Sequence, residues 1–306
     1  MERSRPAVLA VLSIGVLAVS AAALFVRLAD APALSTAAYR LLFASLPTLA
    51  LLPLRGRREL PRLRGSDWRW LLLSGICLAC HFATWIASLE MTTVSSSVAL
   101  VTTSPLFVAG FVLLRGEQVS GGTLLAMLVC LAGGLIIGAA DVGGGGRALV
   151  GDLLALAGAA FAGAYFALGR RLRSITSVTT YVGTVYPIAA VVLTVMALVG
   201  RQRLSGFDGE TWLMFALMAL VPQVIGHSSL NWALGYLSAP FVSIAVLGEP
   251  VIATILAAIF LGELPGPLRI VGGVVVLAGV YLGLRAELEA TAPAAKPVPG
   301  ADLSPA

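Results

Sequence analysis

Charge is what this sequence has least of. Asp, Glu, Lys and Arg make up 11% of its 306 residues, against roughly 25% in a soluble domain. So few charges cannot cover the surface of a soluble globule. Disorder is excluded too, since it needs low hydrophobicity and high charge. Lysine occurs once, at Lys296, and histidine twice. The three cysteines, Cys77, Cys80 and Cys130, all sit inside apolar runs, which argues against a disulfide framework. Cys77-x-x-Cys80 lies in an apolar stretch without a redox context and reads as small packing residues. No HExxH or similar ligand spacing occurs, so no metal is expected. The GGGG run at 143–146 lacks a following Gly-Lys-Ser/Thr, so neither a phosphate loop nor ATP hydrolysis is expected, and no cofactor is implied.

What the chain has is apolar side chain: 58% hydrophobic residues, with 33 glycines besides, and a mean hydropathy of +0.96. This composition points to a polytopic membrane protein. The net charge of +5 would suggest nucleic acid in a soluble protein. Here the arginines flank apolar runs, so the expected partner is the lipid bilayer and not nucleic acid.

A crossing helix needs about 20 apolar residues. Ten such runs are found, at about 7–26, 33–54, 69–89, 92–114, 121–140, 150–169, 179–200, 211–233, 240–261 and 266–285. The first is longer than the apolar core of a signal peptide, roughly 7–15 residues, and reads as an uncleaved span. With the N-terminus inside, 14 Arg and Lys fall in inside segments, 5 in outside loops, and Arg40 within a span. That bias places both termini in the cytoplasm of an inner or plasma membrane protein. Residues 287–306, rich in Ala and Pro, read as a disordered cytoplasmic tail.

The two halves repeat. SPLFVAGFVLLRGE (104–117) matches EPVIATILAAIFLGE (249–263), with Pro105 against Pro250 and Gly116-Glu117 against Gly262-Glu263. LAGG at 131–134 matches LAGV at 277–280, and His81 and His227 lie 146 residues apart. Five spans per half is an odd number, so the second half enters the membrane inverted. Inverted repeats with a site at their interface are a recurrent architecture of secondary transporters.

The stretch from Trp85 to the Arg-Gly-Glu of 115–117, and the stretch from Asn231 to the Leu-Gly-Glu of 261–263, resemble the two repeats of the EamA family of the drug/metabolite transporter superfamily. The resemblance covers about residues 7–285. It implies an all-α fold of ten transmembrane helices as two inverted five-helix repeats, 1–141 and 148–286. It also implies alternating access around a central cavity, mainly between spans 3, 4, 8 and 9, and transport of small metabolites, amino acids or drugs. It does not fix the substrate.

Ionisable groups inside a span are costly and are candidates for function. Glu249 lies inside span 9 and is followed by Pro250, which frees the carbonyl of Val246. It reads either as a proton-coupling or solute-binding carboxyl, or as a group that fixes a kink. Pro105 marks the matching kink in span 4, freeing the Val101 carbonyl beside Thr102, Thr103 and Ser104. His81 with Trp85 one turn on, and Gln223, His227 and Asn231 in span 8, form polar stripes; each lines a cavity or bonds helix to helix. Arg40 snorkels to the interface or pairs with Glu90. Glu117 and Glu263 read as turn or capping groups. Gly134–Gly138 and Gly279–Gly283 are GxxxG patterns that pack the halves together or form a homodimer.

The expected function is secondary active transport of a small organic solute, neutral or zwitterionic, more naturally export than uptake, driven by a proton or solute gradient. The alternative is a polytopic membrane enzyme acting on a lipid-linked or small substrate. It would need a clustered nucleophile, base and oxyanion donors, and His81 with the serines 95–97 is the nearest approach to such a set.

Overall fold

In the computed structural model, residues 5–114, 116, 118–139, 145–262, 264 and 266–290 are described. Among them every regular element is helical. In chain order these are α1 (Arg5–Val19), α2 (Ala22–Leu28), α3 (Ala33–Glu59), a 3-10 helix (Leu60–Arg62), α4 (Gly65–Leu89), α5 (Val94–Val101), α6 (Ser104–Leu114), α7 (Gly121–Ala139), α8 (Gly145–Arg173), α9 (Val178–Val199), α10 (Gly209–Met218), a π-helix (Ala219–His227), α11 (Ser228–Ala233), α12 (Ala239–Val246), α13 (Glu249–Phe260) and α14 (Pro267–Ala290).

Eight helical stretches are long and apolar enough to cross a membrane: Arg5–Leu28, Ala33–Leu54, Gly65–Leu89, Val94–Phe111, Gly146–Arg173, Val178–Val199, Gly209–Ala233 and Ala239–Phe260. Where two further spans are expected, at 121–140 and 266–285, the described apolar stretches Gly121–Ile136 and Ile270–Gly283 are shorter. The tail from residue 291, Glu117 and Glu263 lie outside the described residues.

The halves interlock. α1 packs on the π-helix and α11, α4 packs on α8, α3 on α9, and α7 on α14. The α7–α14 contact is reciprocal. A Cβ on Gly133 would stand 2.7 Å from the Val276 nitrogen and 2.8 Å from the Gly272 carbonyl oxygen. A Cβ on Gly279 would stand 2.9 Å from the Cys130 nitrogen and 3.0 Å from the Ala126 oxygen. Each residue of the first contact lies 146 positions from its counterpart in the second, so the repeat seen in sequence is a local two-fold relation in space. Gly116 (φ 74°) and Gly262 (φ 69°) likewise follow α6 and α13 in the left-handed conformation, where glycine carries no Cβ penalty.

Of the GxxxG glycines, Gly134 faces Ala99 of α5, Gly279 faces α7 and Gly283 faces Ile244 of α12, all within one chain. A homodimer would therefore have to use another surface. The surroundings of Gly138 lie outside the described residues.

Both faces of the bundle are closed by arginines on backbone carbonyls. α3, at 27 residues, is about 40 Å long and separates them. At its first end Leu34 donates from its backbone nitrogen to Gln202 Oε1 (2.9 Å), and Arg203 donates to the Asp30 carbonyl (2.9 Å). On that face Arg27 Nη1 donates to the Leu89 carbonyl (3.2 Å) and Arg147 Nη2 to that of Glu90 (3.0 Å). At the other end Glu59 Oε2 accepts from the Ser177 nitrogen (2.8 Å), while Arg173 Nε donates to the Asn231 carbonyl (3.0 Å) and Arg170 Nη1 to that of Leu234 (2.7 Å).

Candidate functional site

Two helices are interrupted at equivalent places. α5 stops at Val101 and α6 restarts at Ser104; α12 stops at Val246 and α13 restarts at Glu249. Pro105 and Pro250 therefore stand in the first turn of a new helix, where the missing N–H costs nothing, and not as kinks within a continuous one. The hydroxyls beside the first break do not take the Val101 carbonyl as expected. Thr102 Oγ1 donates to the carbonyls of Val98 and Ala99 (2.8 and 2.9 Å), and Thr103 Oγ1 to that of Leu100 (2.7 Å). The Val98 and Leu100 carbonyls also accept backbone bonds from Thr102 and Thr103 (3.1 Å each), so the helix tightens as it ends and the hydroxyls reinforce its last turn.

Both breaks open on one central pocket. Its wall includes Arg40, His81, Phe82, Trp85, Thr102, Ser104, Tyr165, His227 and Glu249. Its open space is about 40 Å³, on a scale where a single water needs roughly 10–15 Å³. In this conformation the pocket holds a few waters at most.

The π-helix widens the backbone of the Gly209–Ala233 stretch at Gln223 and His227, a distortion frequent at functional sites. Gln223 Oε1 accepts from Arg40 Nε at 2.9 Å. Arg40 has no solvent exposure, and its guanidinium carbon lies 4.1 Å from the Phe82 ring centroid. Glu90 is exposed, so the expected Arg40–Glu90 pair does not form. Snorkelling is excluded by the same burial: Arg40 points into the bundle, where Gln223 and Phe82 hold it. Its Nη1 and Nη2 have no partner, nor have Trp85 Nε1, Gln223 Nε2 and His227 Nδ1.

His81 Nδ1 lies 3.0 Å from the Gly158 carbonyl. A carbonyl only accepts, so Nδ1 carries the proton. The His81 ring stacks on Trp85 (6.1 Å, 2°) and lies 6.4 Å from His227. Asn231 is one layer behind the wall, its Nδ2 donating to the Tyr165 hydroxyl at 2.6 Å. Tyr186 OH lies 3.3 Å from the Gln223 carbonyl and 3.2 Å from Ser228 Oγ. Ser97 Oγ is bonded to Ser88 Oγ and His81 to Gly158, so this imidazole and this hydroxyl are not paired. Among the described residues no three His, Cys, Asp or Glu converge as metal ligands.

The structure thus brings Glu249, His81, His227, Trp85 and Ser104 into one wall, with Gln223 and Asn231 bonded to it. Sequence reasoning missed Phe82 and Tyr165 in the wall and Tyr186 behind it. For Tyr186 a signal was present: the 146-residue offset carries Arg40 onto it.

A helical bundle with interrupted spans around a buried polar pocket defines the class as a multi-pass membrane protein of transporter type. The model of the EamA-like transporter family matches residues 6–139 and again 149–285, and the chain belongs to that family. It is 26% identical over 256 residues to an "Uncharacterized transporter" of Archaeoglobus fulgidus, covering 80% of this chain and 85% of that protein. It is 27% identical over 248 residues to the "Uncharacterized transporter YdfC" of Bacillus subtilis, covering 80% and 79%. A solved crystal structure shares the fold with a TM-score of 0.73 at 16% identity, over 94% of this chain and 100% of its own.

Proposed function

We propose that this chain is a secondary active transporter that moves a small organic solute across the inner or plasma membrane by alternating access. Ten spans form two inverted five-helix repeats, 1–141 and 148–286, with both termini cytoplasmic; α7 and α14 supply the two shorter spans. The central pocket binds the solute, and the arginine contacts at either face open in turn. The direction is export, and Glu249 takes and releases the coupling proton. The observation that carries this reading is the pair of helix breaks at equivalent positions, both opening on the pocket that holds Glu249, Arg40 and the two histidines. Irregular backbone at membrane depth is tolerated only where it is buried in protein or lines a cavity.

The test is flux in liposomes holding the purified full chain, with a panel of radiolabelled amino acids and small neutral metabolites and an imposed pH gradient. Wild type is expected to accumulate at least one solute in response to the gradient, and Glu249→Gln to lose that response. Gradient-independent transport matched by the variant would refute coupling through Glu249.

A further inference from the structure

Several buried donors of the pocket and of the side chains bonded to its wall have no partner. Arg40 Nη1 and Nη2, Trp85 Nε1 and Gln223 Nε2 are all buried and unpartnered. The Gln223 orientation is fixed, because Arg40 Nε can only donate and must face the amide oxygen. On the acceptor side, Asn231 Oδ1 and His227 Nδ1 are enclosed without a partner, and the Glu249 carboxyl lines the wall with no hydrogen bond among the described residues. Glu249 shares the pocket, yet among the described residues no ion pair within 4 Å joins it to Arg40. A buried guanidinium with two idle nitrogens is a costly arrangement unless something else supplies the acceptors.

We infer that the missing group is a carboxylate on the solute, seated on Nη1 and Nη2 of Arg40. This rests on the reading of the pocket as the transport site. Gln223 holds one edge of the guanidinium and Phe82 covers its face, so the planar fork is fixed with its terminal nitrogens left over. Such a fork matches the two oxygens of a carboxylate. The aromatic wall of Trp85, Phe82 and Tyr165 suits an apolar body attached to that carboxylate. Among the described residues Arg40 is the one Lys or Arg in the wall and Glu249 the one carboxyl, so with Glu249 protonated the wall fits one negative charge and not a phosphate dianion.

The test uses the purified full chain in detergent, with thermal unfolding and tryptophan fluorescence as readouts. The probes are acetate, benzoate and phenylacetate, their uncharged amides, and phenyl phosphate. At least one acid is expected to protect wild type saturably, with its amide weaker by roughly tenfold or more. Arg40→Gln should bind acid and amide alike, and Arg40→Lys should fall between. Equal binding of every acid and its amide to wild type, no binding of any acid, or equal protection by phenyl phosphate would overturn the inference, even if Arg40→Gln fails to fold. The two readings fail separately. Liposomes that move a solute while wild type ignores the carboxylate leave the transporter standing and this inference lost. Acid-selective binding without flux of any solute does the reverse.

Discussion

Glu59 joins two elements outside the membrane span. Burial alone would raise its carboxyl, but hydrogen bonds from Thr180 and Ser177, with the charge of Arg173, hold it below its ordinary value of 4.5. A depressed carboxyl stabilises the fold above its unfolded value, and the contribution is lost as pH falls through the folded value. Glu59→Gln is therefore expected to lower the thermal midpoint by a few degrees at neutral pH. The gap to wild type should narrow as pH falls below the ordinary carboxyl value of 4.5, and a gap that did not narrow on acidification would contradict the assignment. The Glu59–Ser177 contact spans 118 residues, and no periodicity marks it. Arg40 was legible as an intramembrane cation, since hydropathy finds it, but its partner was not. Hydropathy cannot say which way a side chain points, and the choice of Gln223 over Glu90 is made by the rotation of α3 against the π-helix.

Among the elements, the repeat pairs contacts as well as residues. Arg27 closes the end of α2 onto the end of α4, and Arg173, 146 positions later, closes the end of α8 onto the end of α11 at the opposite face. A hydrogen bond to a charged group is worth about 1.5–3 kcal/mol, enough to move a two-state population by roughly tenfold. Arg27→Ala is expected to raise labelling of a Ser104→Cys probe from the Ala33 side of α3, and Arg173→Ala from the Glu59 side. The background would lack Cys77, Cys80 and Cys130, and labelling is read with impermeant maleimide in oriented vesicles. Increases from the same side for both variants would sink this pairing. The prolines and the SPLF/EPVI repeat marked where the Val94–Phe111 and Ala239–Phe260 stretches are irregular. They did not reveal that each break ends one helix and starts another, because that depends on how the local carbonyls are satisfied: by threonine hydroxyls and tightened backbone bonds at the first break, and by backbone bonds from Leu247 and Gly248 at the second.

Across the whole molecule, neither half buries its own faces. α4 packs on α8, α1 on α11 and the π-helix, and α7 on α14, and Gly133 and Gly279 admit backbone where a larger residue would clash. Residues 1–141 expressed alone, and 148–306 alone, are each expected to aggregate on size exclusion, whereas coexpression should yield a copurifying pair. A monodisperse, cooperatively melting single half would show that the interlocking is dispensable.

By itself the sequence determined the membrane solvent, the helical class, the duplication and the few polar groups left at membrane depth. All of these follow from composition, run length and a fixed offset, which are properties along one dimension. The tertiary structure alone decided that Arg40 leaves its terminal nitrogens unpartnered beside Phe82, that Tyr165 lines the pocket, and that arginines donate to backbone carbonyls at both ends of the bundle. Those outcomes depend on the rotation and depth of helices from different halves, set by close packing between residues far apart in the chain.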